Sequence, residues 1–309
     1  MRSRSLPPSH HSVLASQRKW SGRDSVSLAD RIVSRRKPVL VVGSALGVSS
    51  ATAVRRADAL ARILGARMVV AHAVDGPTPS SRIQTIVSRD PTARLRRLTR
   101  AVSAWCRDVL GHPVPESDVV VRAGKLVVVL AGIAIERHAI LLVIGSESPV
   151  ERRASFGLAD HLVRDTRRPV LVARPPTTSN RIVAATDLVD DTYPVLRRAA
   201  SMGARFEAPV TFVSNVPHDE RTEAVGIGER RSLLEALARS MGGGDARLIA
   251  RRGAAEAILE VAREQDADLV VVGMRDDRAP TDERATVETI VTEARRSVFV
   301  VPLGVRGVP

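Results

Sequence analysis

The chain has 309 residues, 44% hydrophobic and 26% charged, with a formal net charge of +13. That composition fits a globular protein with room for two domains of ordinary size. A single cysteine, Cys106, excludes an intrachain disulfide and any multi-cysteine zinc site, and fits a reducing compartment.

Nine of the Arg and Lys residues lie in the first 37 positions, against only Asp24 and Asp30. This segment is rich in Ser, Arg and Pro and lacks the apolar core of a secretory signal; its acid-poor start resembles a transit peptide. Its composition predicts a disordered extension over 1–36. Alternating strands and helices then follow. Strands are predicted at 38–43, 67–74, 118–122, 140–145 and 169–173. Helices are predicted at about 50–64, 90–110, 125–137 and 157–166. The run Leu126 to Ile135, the longest apolar stretch, is too short to span a bilayer and reads as a buried helix. RPPTTSN (174–180) predicts a linker, two prolines followed by small polar residues. Beyond it come strands at 181–186, 209–214, 246–250, 268–273 and 297–301, and helices at about 191–203, 228–241, 254–265 and 284–294. Gly65 and Gly203 are placed as helix C-terminal caps. Continuous Val, Leu, Ile and Ala runs, with aromatics at only 2%, suit parallel strands buried on both faces.

The order of elements repeats. LLVIGSESPVERRASFGLADHLVRDTRRPVLV (141–172) and LVVVGMRDDRAPTDERATVETIVTEARRSVFV (269–300) align over 32 residues without a gap. Gly145 corresponds to Gly273, Gly157 to Ala285 and Pro169 to Ser297. Upstream, Arg55-Arg56-Ala57 and Arg197-Arg198-Ala199 sit at matching places. A period near 140 residues is that of whole domains. The expected fold is α/β: two tandem doubly wound Rossmann-like domains, each a mainly parallel five-stranded sheet with helices on both faces. The expected domains are 37–174 and 181–303, joined by 175–180, with a short tail at 304–309.

GAAEAILEVAREQDADLVVVG (253–273), the looser GKLVVVLAGIAIERHAILLVIG (124–145) and the closing RPVLV (168–172) resemble the universal stress protein family. The resemblance covers about residues 37–303. It implies a non-catalytic stress-response protein whose ligand is ATP or AMP with Mg²⁺. Nucleotide-binding members carry an Asp at the end of the first strand and a loop G-x2-G-x9-G-[S/T]. Glycine lets the backbone approach phosphate, and N–H groups at a helix start face the anion.

The two halves depart from that pattern differently. In half one Ser44 stands at the Asp position. Gly145 remains, Ser148 replaces the second Gly, Gly157 comes one residue early and Leu158 follows it. Glu147 and Glu151 add negative charge. In half two Asp187 ends the first strand and Gly273 is kept. Asp276 and Ala285 replace the other glycines, and Thr286 is placed to cap the last helix or to touch phosphate. Arg275 and Arg278 stand ready to offset the acidic loop. Asp187, Gly273, Arg275 and Thr286 are therefore the expected site, and half one a degenerate copy.

No Gly-x-Ser-x-Gly elbow, Walker loop or clustered histidines point to an enzyme or a metal. Asp190-Asp191 and Asp276-Asp277 read as solvated pairs. The rival reading is an interaction module that binds no nucleotide. Non-specific nucleic-acid association through the basic tail is disfavoured by the scarcity of aromatics for base stacking. The resemblance also implies a cytoplasmic protein, no membrane partner, and an intramolecular pseudo-dimer through strands 169–173 and 297–301, with a further homodimer open.

Overall fold

Ten strands form one continuous sheet in the computed structural model, which describes residues 37–74, 91–189, 192–216, 224–250, 253–275 and 281–304. The segment 1–36, the pairs Asp190-Asp191 and Asp276-Asp277, and Arg278 lie outside the described residues. In half one the elements are β1 (Val39–Gly43), α1 (Val48–Leu64), β2 (Arg67–Val74), α2 (Pro91–Leu110), β3 (Val119–Ala123), α3 (Leu126–Glu136), β4 (Ala139–Gly145), α4 (Pro149–Thr166) and β5 (Val170–Ala173). Half two repeats them as β6 (Ile182–Thr186), α5 (Pro194–Phe206), β7 (Val210–Val216), α6 (Ala224–Ser240), β8 (Asp245–Ala250), α7 (Ala254–Glu264), β9 (Leu269–Arg275), α8 (Thr281–Glu293) and β10 (Ser297–Leu303).

Sheet order is β3-β2-β1-β4-β5-β10-β9-β6-β7-β8. Every pairing within a half is parallel. The one antiparallel pairing joins the halves, with Val298 opposite Val172, Phe299 opposite Leu171 and Val300 opposite Val170. The last strand of each half thus gains a partner on what would be an open edge.

Alternation along the strands divides the core into two layers. Val41, Leu142, Val172, Val270 and Val298 face α3, α4, α7 and α8, while Leu40, Val143, Leu171, Val271 and Phe299 face α1, α2, α5 and α6. Each layer runs through both halves. The strands read as continuous apolar runs because both faces are covered.

Two local readings need correction. Helix α4 starts at Pro149, eight residues before the expected 157. Ser148 accepts the N–H of Glu151, and the Glu151 carboxylate accepts the N–H of Ser148, a reciprocal cap followed by a proline in the first turn. Gly65 does end α1 in the left-handed region at φ +61°, but Gly203 lies inside α5. A Cβ there would strike the Val210 side chain, so this glycine serves close packing; Glu207 is the left-handed residue that ends the helix. The 174–180 segment is more than a tether. Arg174, 1% exposed, donates its Nη1 to the carbonyl of Arg296 at 2.7 Å and its Nη2 to that of Val291. Thr177 N–H reaches Asp268 Oδ1 at 2.7 Å.

Candidate functional site

In each half the chain leaves the first strand in one direction and returns on its other side, so β1/β4 and β6/β9 are switch points. Ligands of open α/β sheets settle at such points, beyond the carboxyl ends of the strands. The two switch points differ sharply.

At β6/β9 a cleft of about 170 Å³ opens between α7 and α8. Ala254, Ile258, Val287 and Ile290 form its apolar walls, with Asp187, Gly273 and Thr286 on its lining. Asp187 follows β6 in a turn where its Oδ1 accepts the N–H of Val189 at 3.0 Å. Its Oδ2 accepts from Arg275 Nη2 at 3.1 Å, while Arg275 Nε donates to Glu283 Oε2 at 3.2 Å. The Arg275 side chain is only 4% exposed, against 41% for Asp187. Two carboxylates offset the cost of burying that guanidinium. The structure therefore brings all four expected residues of half two to one place. Their roles shift in two cases. Thr286 caps nothing: α8 already begins at Thr281, and Thr286 Oγ1 donates to the Asp282 carbonyl one turn back at 2.8 Å. Gly273 answers to packing, since a Cβ there would lie 2.6 Å from Leu303 Cδ1 and 3.0 Å from Val195 Cγ2. Glu283, unmarked in the sequence reading, is the second carboxylate on Arg275.

At β1/β4 the strand ends are crossed by contacts among the chain's own side chains. A Cβ on Gly145 would collide with the Ser49 carbonyl in the first turn of α1. The Glu151 carboxylate accepts the N–H groups of Glu147 at 3.0 Å and Ser148 at 2.9 Å, and the Ser49 hydroxyl at 3.3 Å. These donors hold its carboxyl below the usual carboxylate range, the two backbone N–H groups foremost. Glu147 accepts from Thr52 Oγ1 at 2.5 Å. Ser44 caps its own turn, accepting the N–H of Leu46 at 3.2 Å. Gly157 sits in the third turn of α4 with no atom within 4 Å of where its Cβ would be. An internal carboxylate already holds the N–H groups that a phosphate would need, and a second lies beside it.

Among the described residues no cluster of three or more His, Cys, Asp or Glu is arranged to hold a metal. Among them, too, no helix is long and apolar enough to cross a membrane.

The universal stress protein family profile matches residues 36–174 and again 178–302. A universal stress protein from Archaeoglobus fulgidus superposes with a TM-score of 0.61 at 14% identity, covering 87% of this chain and 97% of that one. A putative universal stress protein from Pseudomonas aeruginosa gives 0.58 at 16% identity, covering 86% and 93%. The A. fulgidus universal stress protein in complex with dAMP is 27% identical, covering 39% of this chain and 96% of that one, with a TM-score of 0.33. No curated protein matches the chain significantly. Two tandem profile matches, together spanning most of the length, show that the chain belongs to the universal stress protein family.

Proposed function

We propose that this stress-family protein is a non-catalytic regulator whose second half binds an adenine nucleotide, with the first half as its structural partner. The observation that carries this reading is the fixed carboxylate of Asp187 at the β6/β9 switch point, beside an apolar slot and the Arg275 guanidinium. An oriented carboxylate accepts from an exocyclic amine and an apolar slot admits a base, while Arg275, held on Asp187 and Glu283, fixes that carboxylate in place. The cleft volume lies below the roughly 300–1,000 Å³ common for ligand pockets, which favours AMP over ATP. Asp187 and Glu283 both hold Arg275, which favours binding without Mg²⁺.

The second reading, an interaction module without nucleotide, is favoured by the depth of Arg275, whose guanidinium is already taken up by Asp187 and Glu283. Calorimetry with AMP and with ATP, each with and without Mg²⁺, separates the two on the wild type and on Asp187→Ala. Heat of AMP binding that disappears in Asp187→Ala supports the nucleotide reading. No heat with any nucleotide sinks it and leaves the interaction module.

A further inference from the structure

The two faces of the β5–β10 seam are covered unequally. On one face α4 and α8 pack across it: Arg284 of α8 donates to Asp160 of α4 at 2.8 Å and stacks 5.8 Å from the centre of the Phe156 ring. On the other face α1 and α5 flank the seam and leave two adjoining cavities of about 240 and 220 Å³. The cavities share Leu60, Met202, Phe206 and Phe299, so they form one apolar channel floored by the paired strands. Ile63, 49% exposed, stands at its wall.

The ends of the channel carry unequal charge, and the cause is a broken repeat. In half two, Asp268 just before β9 takes Arg56 of α1 at 2.6 Å. The counterpart of Arg56 in the repeat is Arg198 of α5, and the counterpart of Asp268 is Ile140. Arg198 and Ile140 line the second cavity together, with Ser201 and Arg205. Among the described residues no carboxylate pairs with Arg198 or Arg205. Residues 198, 201 and 205 fall three and four apart on one helix face, so two guanidinium groups and a hydroxyl converge at the channel mouth.

We infer that this channel binds a single-chain amphipathic anion of the fatty-acid class, its carboxylate at Arg198, Ser201 and Arg205 and its hydrocarbon along Leu60, Met202, Phe206 and Phe299. Charge complementarity selects the anionic head, and the continuous apolar floor selects a linear tail. This inference is independent of the nucleotide site, which lies at the strand ends of half two.

The test is calorimetry on the full-length protein with laurate below its micelle concentration, with decanoate, and with the neutral alcohol of laurate's length. Laurate should bind, and decanoate should bind roughly fifteenfold more weakly, from about fourfold per methylene. The alcohol should bind at least tenfold more weakly than laurate. Ile140→Asp restores a carboxylate beside Arg198 and should weaken laurate at least tenfold. Ile63→Glu at the exposed wall should do the same. Both changes are at partly exposed positions, and unchanged thermal unfolding checks that each variant is folded. The inference fails if laurate does not bind, if chain length has no effect, or if both variants bind like wild type. It also fails if light scattering shows a dimer that Ile63→Glu dissociates and laurate leaves intact, for then a second copy covers the channel.

Discussion

Two glycines that the family pattern would place in one phosphate loop should respond to alanine with opposite signs. Gly157 lies in the interior of α4, and a Cβ there meets nothing within 4 Å. Its only effect is on the backbone: glycine is about 1 kcal/mol less favourable than alanine inside a helix. Gly157→Ala should therefore stabilise the protein by about that amount and raise Tm by roughly 2 °C for a chain of this size. Gly145 has no positive φ, so alanine costs it nothing in backbone conformation. Its added methyl, however, meets the Ser49 carbonyl and lies 3.1 Å from the Ser50 nitrogen, both backbone atoms of α1. Backbone of a packed helix does not rotate away as a side chain would. Overpacking costs about 1–3 kcal/mol where side chains can adjust, and this site belongs at or beyond the upper end. Gly145→Ala should lower Tm by about 6 °C or more. Differential scanning calorimetry of the two variants beside the wild type reads both shifts in one experiment. The reasoning is refuted if Gly157→Ala destabilises, or if Gly145→Ala melts with the wild type.

Three further outcomes follow from single side chains. Arg174→Ala leaves the Val291 and Arg296 carbonyls without donors and empties a fully buried site, so urea unfolding should show a loss of about 3–5 kcal/mol. The Glu151 carboxyl is held below its usual range by the N–H groups of Ser148 and Glu147, so its stabilising contribution is complete above about pH 4.5 and is lost as pH falls through the folded-state value. Glu151→Gln should cost about 1 kcal/mol at neutral pH and converge with the wild type in acid. Burial pushes the Cys106 thiol up to about 11, so a thiol reagent at pH 8 should modify it only at the rate of unfolding.

Much of the architecture could be read from the chain because it rests on local and periodic signals. Val and Leu runs marked every described strand to within two residues, and the gapless repeat announced two similar halves. The closing strands identified by resemblance, around 170 and 298, are the ones that pair across the seam. What escaped depended on contacts distant in sequence. Gly203 looked like a cap because glycines often are caps, yet its reason is Val210 on the next strand. Arg174 looked like part of a linker, and nothing nearby in the chain predicts that carbonyls 117 and 122 residues away would receive it. The start of α4 was different. Ser148-Pro149-Val150-Glu151 carries a reciprocal cap in plain form, a signal local in sequence. At the site itself, Asp187 and Arg275 were legible as residue types, but their mutual ion pair and the part played by Glu283 were not, because pairing depends on where β9 and α8 end in space.

The antiparallel β5–β10 seam joins the last strands of two halves of one polypeptide. Were the halves separate chains, assembling this sheet would depend on protomer concentration, and dilution would dissolve it. Covalent linkage removes that dependence and fixes the effective concentration of each half for the other. It also frees the axis from self-complementarity. In a two-fold homodimer every substitution is installed on both sides at once. Here Asp268 can exist without a copy at Ile140, and Ser44 can stand in half one where half two has Asp187. Fusion let a symmetric scaffold hold two different sides.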